Sequence, residues 1–489
     1  MTLAPERQAE TFASVQPANG EVVAEFPIHG EADVGAAVAR AREASQWWQE
    51  LGFSGRKQRL DAWRVIIANR LEELADLVHR ENGKPRGDAQ IEWMVTVDHL
   101  AWAAKHAKKV LGPRRVPSGL LMSNQAAWLE YQPLGVVGVI GPWNYPVFTP
   151  MGSIAYALSA GNTVVFKPSE FTPAVGKWLV DTFAEVVPDH DVFQLITGFG
   201  ATGAALCRSG VDKIAFTGSG KTGKLVMAAC AETLTPVLME CGGKDSMIVA
   251  DDANLDAAAE AALWGGMANA GQTCTGIERI YVTEKSYDPL LAKLVDQVST
   301  VRAGTSYGPI TMPGQVDIIR THIEDALKRG GQAVTGGGID GALVEPTILT
   351  GVPEDSLAVQ EETFGPTITV TKVKDVDEAI RLTNATAYGL AGAVYSRRGG
   401  MDIARQLRSG MTSINSVLSF ASIPSLPFGG SGGSGFGRIH GEDGLREFTR
   451  AKAITKQRYA VPMAIQSFAR TDKTDRFLAR TVRFIHGRR

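Results

Sequence analysis

Val136-Val137-Gly138-Val139-Ile140 is a short apolar run, β-branched at every position but one, that ends against Gly141-Pro142. The same kind of run returns at Thr163-Val164-Val165-Phe166, Val192-Phe193-Gln194-Leu195-Ile196 and Lys213-Ile214-Ala215-Phe216. Each is followed by a Gly/Pro/Ser loop and then a helical stretch. Strand-like runs alternating with helices mark parallel strands joined by crossover helices. Residues 134–242 therefore read as a nucleotide-type α/β half.

Toward the N-terminus the period changes. From Glu31 to about Ala107, Val34, Val38 and Ala41 share one helical stripe, and Leu60, Trp63, Ile67, Leu71 and Leu74 share another. Ser54 is the predicted N-cap of the second helix, and Gly83 with Pro85 is the predicted stop. This helical layer needs a sheet to cover. Gln125–Gln132, with Trp128 and Tyr131, reads as an extended segment. Beyond Lys244 a second alternating set begins: a strand at Ser246–Ala250, an Ala-rich helix at Asp256–Ala268 that ends near Cys274, and a strand at Arg279–Val282. It continues through Ile368–Val373, Val376–Asn384 and Ala391–Tyr395 to about Asn415. Pro427–Gly437 is Gly/Ser-rich and closely flanked by periodic segments, so it reads as a structured loop. No internal repeat or low-complexity tract is found.

Composition sets the limits. A chain of 489 residues exceeds what one core usually serves, so two or three domains are expected. With 44% hydrophobic and 21% charged residues it is ordinarily globular. A net charge of −2 argues against a nucleic-acid partner, which would call for a Lys/Arg surplus. The four cysteines, Cys207, Cys230, Cys241 and Cys274, form no CxxC pair, which points to reduced thiols and a cytoplasmic location. Eight scattered histidines show no ligand spacing, so no metal is expected. Met1–Gly20 carries Glu6, Arg7 and Glu10 without an apolar centre and does not read as a signal peptide. No apolar run is long enough to form a transmembrane segment.

Met239-Glu240-Cys241-Gly242-Gly243-Lys244 and Gly271-Gln272-Thr273-Cys274 supply a carboxylate and a thiol, the base and soft nucleophile that covalent catalysis needs. Gly198-Phe199-Gly200-Ala201-Thr202-Gly203 has dinucleotide-fingerprint spacing but lacks the acidic residue about 20 positions on, so a ligand-free turn is an equal alternative. Gly218-Ser219-Gly220-Lys221-Thr222-Gly223 opens a helix and offers free N–H groups to an anion. It also nearly matches a P-loop, with Ile248-Val249-Ala250-Asp251 as a companion strand, except that Ala215 stands at the first glycine position. Lys167-Pro168-Ser169-Glu170 ends a strand where it could grip a ribose, or it is a solvated turn. Pro142-Trp143-Asn144-Tyr145-Pro146 holds an amide between two prolines that could serve an oxyanion, or it is a structural turn.

Together these stretches resemble the NAD(P)-dependent aldehyde dehydrogenase superfamily. Pro142–Pro146, Lys167–Glu170, Phe216–Gly223, Glu240–Lys244, Gly271–Cys274, Glu361-Glu362-Thr363-Phe364-Gly365-Pro366 and Pro427-Phe428-Gly429-Gly430 run in the family's order and cover most of the chain. The resemblance implies an aldehyde dehydrogenase-like α/β fold. A Rossmann-type cofactor domain would take residues 1–124 and 134–242, and an α/β catalytic domain residues 243–436. A small β oligomerisation element would take 125–133 and 449–460, and a basic tail 461–489.

The resemblance also implies roles. Cys274 is the nucleophile, Glu240 the base that activates water, and Asn144 with the Cys274 N–H the oxyanion hole. Cofactor contacts fall to Trp143, Lys167, Ser169, Glu170, Gly200, Gly203, Phe216, Gly218, Ser219, Thr222, Gly223, Cys241, Glu362 and Phe364. The implied activity is oxidation of an aldehyde to its carboxylic acid through a cysteine thiohemiacetal and thioester. NAD is expected and NADP possible, because Glu170 would repel a 2′-phosphate whereas Lys221 would attract it. A homodimer or homotetramer is implied.

A CoA-acylating semialdehyde dehydrogenase, a P-loop NTPase and a non-catalytic binding protein are the alternatives. Cys241, where the family has an apolar residue, reads as a small buried hydrophobe. Gly152, where many relatives carry an aromatic, predicts a roomy pocket. His440 draws no role from the resemblance. Between Arg470 and Arg489 the tail has seven Lys/Arg against two Asp, with Leu478, Val482 and Ile485 on one stripe. Such a tail either lies on an anionic membrane surface or packs on its own body or a partner subunit, and packing is the expectation.

Overall fold

A computed structural model describes residues 10–460, 465 and 467–487. Glu6, Arg7, Arg488 and Arg489, which entered the reading of the two termini, lie outside the described residues. The chain forms two compact units, Met1–Val110 with Pro133–Thr449, and Leu111–Gln132 with Arg450–Arg489.

In the larger unit, a hairpin of β1 (Thr11–Val15) and β2 (Val22–Pro27) precedes four helices, α1 (Glu31–Glu50), α2 (Gly52–Asn69), α3 (Leu71–Asn82) and α4 (Arg86–Leu111). The stripes read from the sequence are the buried ones save at Leu71, which is half-buried: Val34, Val38, Ala41, Leu60, Trp63, Ile67 and Leu74 are 0–4% exposed. Gly83 ends α3 in the left-handed region, φ 89°, which glycine adopts without a Cβ penalty. Ser54 does not cap α2. Leu51 is itself helical at φ −58°, ψ −20°, so α2 starts almost directly from α1 and Ser54 falls within its first turn.

The first large sheet contains β5 (Val136–Ile140), β6 (Thr163–Lys167), β7 (Phe193–Leu195), β8 (Lys213–Gly218) and β9 (Val237–Cys241). The helices between them are α5 (Phe148–Ala160), α6 (Pro173–Ala184), α7 (Gly200–Arg208) and α8 (Gly220–Ala231). With an antiparallel edge strand from Gly435–Phe436, the strand order is 435–436, β9, β8, β5, β6, β7. The chain leaves β5 toward β6 and β7, then crosses back to β8 and β9. Such a reversal opens a crevice at the carboxyl ends of the two strands, the place where open α/β sheets hold ligands.

The second sheet has seven strands, with β10 (Ser246–Val249) flanked by β11 (Arg279–Thr283) on one side and Gly392–Tyr395 on the other. Thr347–Thr350 and Thr367–Val373 extend it parallel beyond β11. Helix α9 (Leu255–Met267) connects β10 to β11 and leads into the Cys274 loop. Met247, Val249, Ile280, Val282 and Ile368, buried against Ala258, Ala259 and Ala262 of α9, form the core of this half. Alanines here let the helix approach the sheet closely.

In the smaller unit, Arg114–Val116, Gln125–Pro133 and Thr449–Gln457 make a three-stranded sheet, with Thr449–Gln457 at its edge and almost wholly exposed. Helix Asp472–His486 follows.

Candidate active site

Helix α9 ends at Met267, and after Ala268 three consecutive residues, Asn269, Ala270 and Gly271, have positive φ (53°, 56° and 70°). For alanine this conformation costs roughly 1–2 kcal/mol, so local bonds must hold it. Asn269 Nδ2 donates to Asn144 O (3.0 Å), and Gln272 Nε2 donates to Asn269 O (2.9 Å). Thr311 N–H donates to Gln272 Oε1 (2.8 Å). A Cβ on Gly271 would lie 2.1 Å from Gly365 O, so only glycine fits. Strain held in place in this way delivers Cys274, partly exposed, to the cleft.

Asn144 sits just beyond β5 at the strand-order reversal. Its side chain is 5% exposed, and Nδ2 donates to Gln272 O at 2.9 Å. An amide NH₂ carries two donors, so one remains for a ligand. The surrounding turn is braced from the helical layer. Asn82 Nδ2 donates to Trp143 O (3.0 Å), and Lys84 lies 4.0 Å over the Tyr145 ring. Glu92 Oε1 accepts the N–H groups of Val147 and Phe148 at the start of α5 (2.8 and 3.0 Å) while its other oxygen pairs with Lys84 (2.6 Å). Tyr145 OH meets Thr273 Oγ1 at 3.0 Å, tying this turn to the Cys274 loop.

Glu240, 3% exposed, is the penultimate residue of β9, with neither carboxylate oxygen hydrogen-bonded. Burial raises its pKa well above the usual carboxylate range; the Arg438 charge opposes the shift and Glu447 adds to it. A Cβ on Gly429 would lie 2.7 Å from Glu240 Oε1, so the carboxyl rests on the Pro427–Gly430 loop. The Cys274 thiol is also pushed up, first by burial and then by the charges of Glu362, Asp245 and Glu240.

From Glu240 the chain crosses to the second sheet through Gly242-Gly243, and both glycines are needed for contact. A Cβ on Gly242 would lie 2.1 Å from Glu362 Oε1, and one on Gly243 would lie 2.5 Å from Cys274 O. Gly243 N–H donates to Glu362 Oε1 (2.9 Å). Burial, with the Glu278 charge, pushes the Glu362 carboxyl up to about 8. Phe364 (φ 49°) meets Trp143 edge to face, ring centroids 5.6 Å apart.

On the crevice side, Ser219 caps α8: its Oγ accepts Thr222 N–H at 3.2 Å. The remaining N–H groups of the first turn face outward, where an anion is favoured. Lys167 ends β6 with Nζ 4.0 Å from Glu170 Oε2, and Ser169 Oγ lies 3.4 Å from the same oxygen. Gly203 of α7 lies against the Lys167 stem, where a Cβ would come 3.6 Å from Cδ.

One cleft of about 910 Å³ is lined by Cys274, Glu240, Asn144 and every cofactor contact implied by the resemblance except Gly223. Gly223 is buried behind it, where a Cβ would meet Cys241 Sγ at 3.2 Å. Cys241 is 8% exposed within the Phe216, Val226 and Met239 core, and burial pushes its thiol up to about 11, which keeps it neutral.

Two expectations change. The P-loop reading fails because Ala215–Thr217 belong to β8 and Ser219 alone separates strand from helix, leaving no loop to wrap a triphosphate. Its companion strand, β10, lies in the other sheet. The roomy pocket at Gly152 fails as well. A Cβ there would meet Ile439 Cδ1 at 2.7 Å and His440 Nε2 at 2.8 Å, so those side chains fill the space.

The sequence reading also missed three positioning groups. Glu278 pairs with Lys244 and accepts the N–H groups of Thr363 (2.9 Å) and Phe364 (3.0 Å), fixing the loop that carries Glu362. Glu92 and Arg438 are the others, and no local pattern marks any of them.

The aldehyde dehydrogenase family profile matches residues 4–454. The chain is 36% identical over 447 residues to the 4,4'-diapolycopene aldehyde oxidase of Methylomonas sp, covering 90% of this chain and 84% of the relative. It is similar to the crystal structure of the NAD-dependent aldehyde dehydrogenase from Sinorhizobium meliloti, with TM-score 0.89 and 32% identity over 94% of this chain and 93% of that one. The E. coli NADP dependent enzyme gives TM-score 0.87 and 32% identity over 92% and 95%. With sequence and fold both matched over nearly the full length, the chain belongs to the aldehyde dehydrogenase family and is an NAD(P)-dependent aldehyde dehydrogenase.

Proposed function

We propose that this enzyme oxidises an uncharged aldehyde with an apolar body to the carboxylic acid, with NAD as the preferred cofactor. The observation that carries the substrate reading is the wall facing away from the crevice. Ile91 and Val95 of α4, Phe148, Leu418, Phe428 and Ile439 make it apolar. Among the described residues of this wall, the one cation is Lys84, which is 1% exposed and committed to Glu92. Asp88, one helical turn before Ile91 and Glu92, adds a negative charge. A substrate carboxylate would thus find repulsion and no partner.

The residues suit a nicotinamide dinucleotide. The Ser219-capped helix start would take the pyrophosphate, Lys167 and Glu170 a ribose, and the glycine cradle at 242–243 leaves the Glu362 carboxylate open to the other ribose. Glu170 beside Ser169 would repel a 2′-phosphate, which favours NAD over NADP, and exposed Lys221 is the opposing charge. When bound, the cofactor supplies the hydride acceptor.

Cys274 Sγ, as thiolate, attacks the aldehyde carbon. The free N–H of Asn144 Nδ2 and the Cys274 backbone N–H then hold the oxyanion, an interaction worth about 3 kcal/mol per donor in a dry site. Loss of hydride from the thiohemiacetal leaves a thioester, and Glu240 takes a proton from the water that cleaves it, releasing the acid and regenerating the thiol. Water is preferred over CoA as acceptor because Glu240 has no other task. We also propose a homodimer or homotetramer built on the exposed edge strand Thr449–Gln457, since an unpaired edge invites another chain.

Reduced cofactor followed by absorbance tests the substrate and cofactor readings together. Hexanal should exceed 6-oxohexanoate at least tenfold in kcat/KM, and NAD should exceed NADP, with Glu170→Ser narrowing that ratio. Preference for the ω-carboxylate would overturn the substrate reading, and preference for NADP the cofactor reading.

A further inference from the structure

The helix Asp472–His486 stands outside the stretch matched by the family profile, which ends at residue 454. None of its side chains is buried. Its sequence repeats with a heptad that the sequence reading overlooked: Lys473-Thr474-Asp475-Arg476-Phe477-Leu478 returns as Arg480-Thr481-Val482-Arg483-Phe484-Ile485. At 100° per residue, Lys473, Arg476, Arg480 and Arg483 gather in one narrow arc. Phe477 and Phe484 border that arc directly, and Ile485, Leu478 and Val482 continue a wide apolar face beyond them. Phe477 is 50% exposed, Val482 46% and Phe484 71%.

The two threonines within that face do not spoil it. Thr481 Oγ1 donates to Phe477 O (3.0 Å), and Thr474 Oγ1 pairs with Thr471 Oγ1 (3.3 Å), so their methyl groups are what remains outward. The acids are few, and Asp475 is paired with Arg470 (2.8 Å). The four clustered cations keep their charge unpaired among the described residues.

We infer that this helix lies on a bilayer surface containing anionic lipid, its apolar face in the acyl boundary and its cations at the headgroups. A second copy of the same helix fits less well. The seam positions 474, 478, 481 and 485 would place threonine at alternate knobs, and pairing through them would leave the basic arc on the opposite side without a countercharge.

The full-length enzyme, sedimented with vesicles of phosphatidylcholine alone or mixed with phosphatidylglycerol, tests this. Binding is expected to the mixed vesicles and to weaken with salt. Arg476→Gln and Arg480→Gln should each lower partitioning about fivefold. Phe477→Asp with Phe484→Asp should abolish it while aldehyde oxidation in solution and the mass by light scattering stay unchanged. Failure to bind phosphatidylglycerol vesicles, or binding undiminished in the Phe variant, overturns the assignment. A fall in mass for that variant overturns it too, by giving the helix to a partner subunit.

Discussion

Burying a carboxyl group with no hydrogen-bond partner favours its neutral form, and Glu240 is in that condition on both oxygens. Cys274 is held protonated by the same burial and by neighbouring negative charge. In the proposed mechanism both must lose a proton before they act, so activity should rise from neutral to alkaline pH. A profile of kcat/KM with its maximum on the acid side would contradict this. In the mechanism proposed above the two residues serve different halves of the reaction, and Glu240→Gln should separate them. It should release one equivalent of NADH per site in a burst and then stall, with steady turnover down about 10²–10⁴-fold. Undiminished steady turnover would remove Glu240 from the role of base.

At the scale of elements, the packing of α5 is settled by residues far along the chain. Gly152 leaves a space that Ile439 and His440 occupy, and Gly444, in the short helix Gly441–Glu447, packs with a Cβ position 3.2 Å from the Tyr156 ring. Gly152→Ala should overpack this contact and destabilise by about 1–3 kcal/mol. Combined with His440→Ala, the loss should be smaller than the sum of the two single losses, as measured by urea unfolding, since the smaller side chain vacates the space. Strict additivity would show that the two residues do not compete for it.

The whole molecule carries buried titrating groups of opposite effect. Glu362 and Glu81, with pKa raised to about 8 and about 7 by burial, keep protons on folding that the unfolded chain gives up. His440 does the reverse. Fully buried 3.8 Å from the His99 ring, with neither ring nitrogen hydrogen-bonded, it has a pKa lowered well below 6.5, and that of His99 is lowered to about 4. A depressed histidine contributes stability above its unfolded pKa and loses it as pH falls toward the folded one. Below about pH 6.5 the parent should therefore lose stability relative to His440→Leu by about 1.4 kcal/mol per pH unit. Parallel pH curves for the two proteins would show that His440 is charged in the folded state.

By itself the sequence determined what depends on neighbouring residues. The strand-like runs from Val136 to Phe216, the helical stripes through Leu60 and Trp63, the stop at Gly83 and the motif around Cys274 all express backbone period and turn chemistry over a few positions. Their gathering into one cleft was decided by the strand order, which sets Asn144 beyond β5 and Ser219 beyond β8 at adjacent strand ends. The tertiary structure also decided that β10 could not serve the 218–223 loop, that Gly152 opens no pocket, and that Lys244 joins Glu278 to hold Glu362 in place. Those outcomes depend on which distant side chain fills a space or meets a buried charge, a long-range competition that local period does not encode.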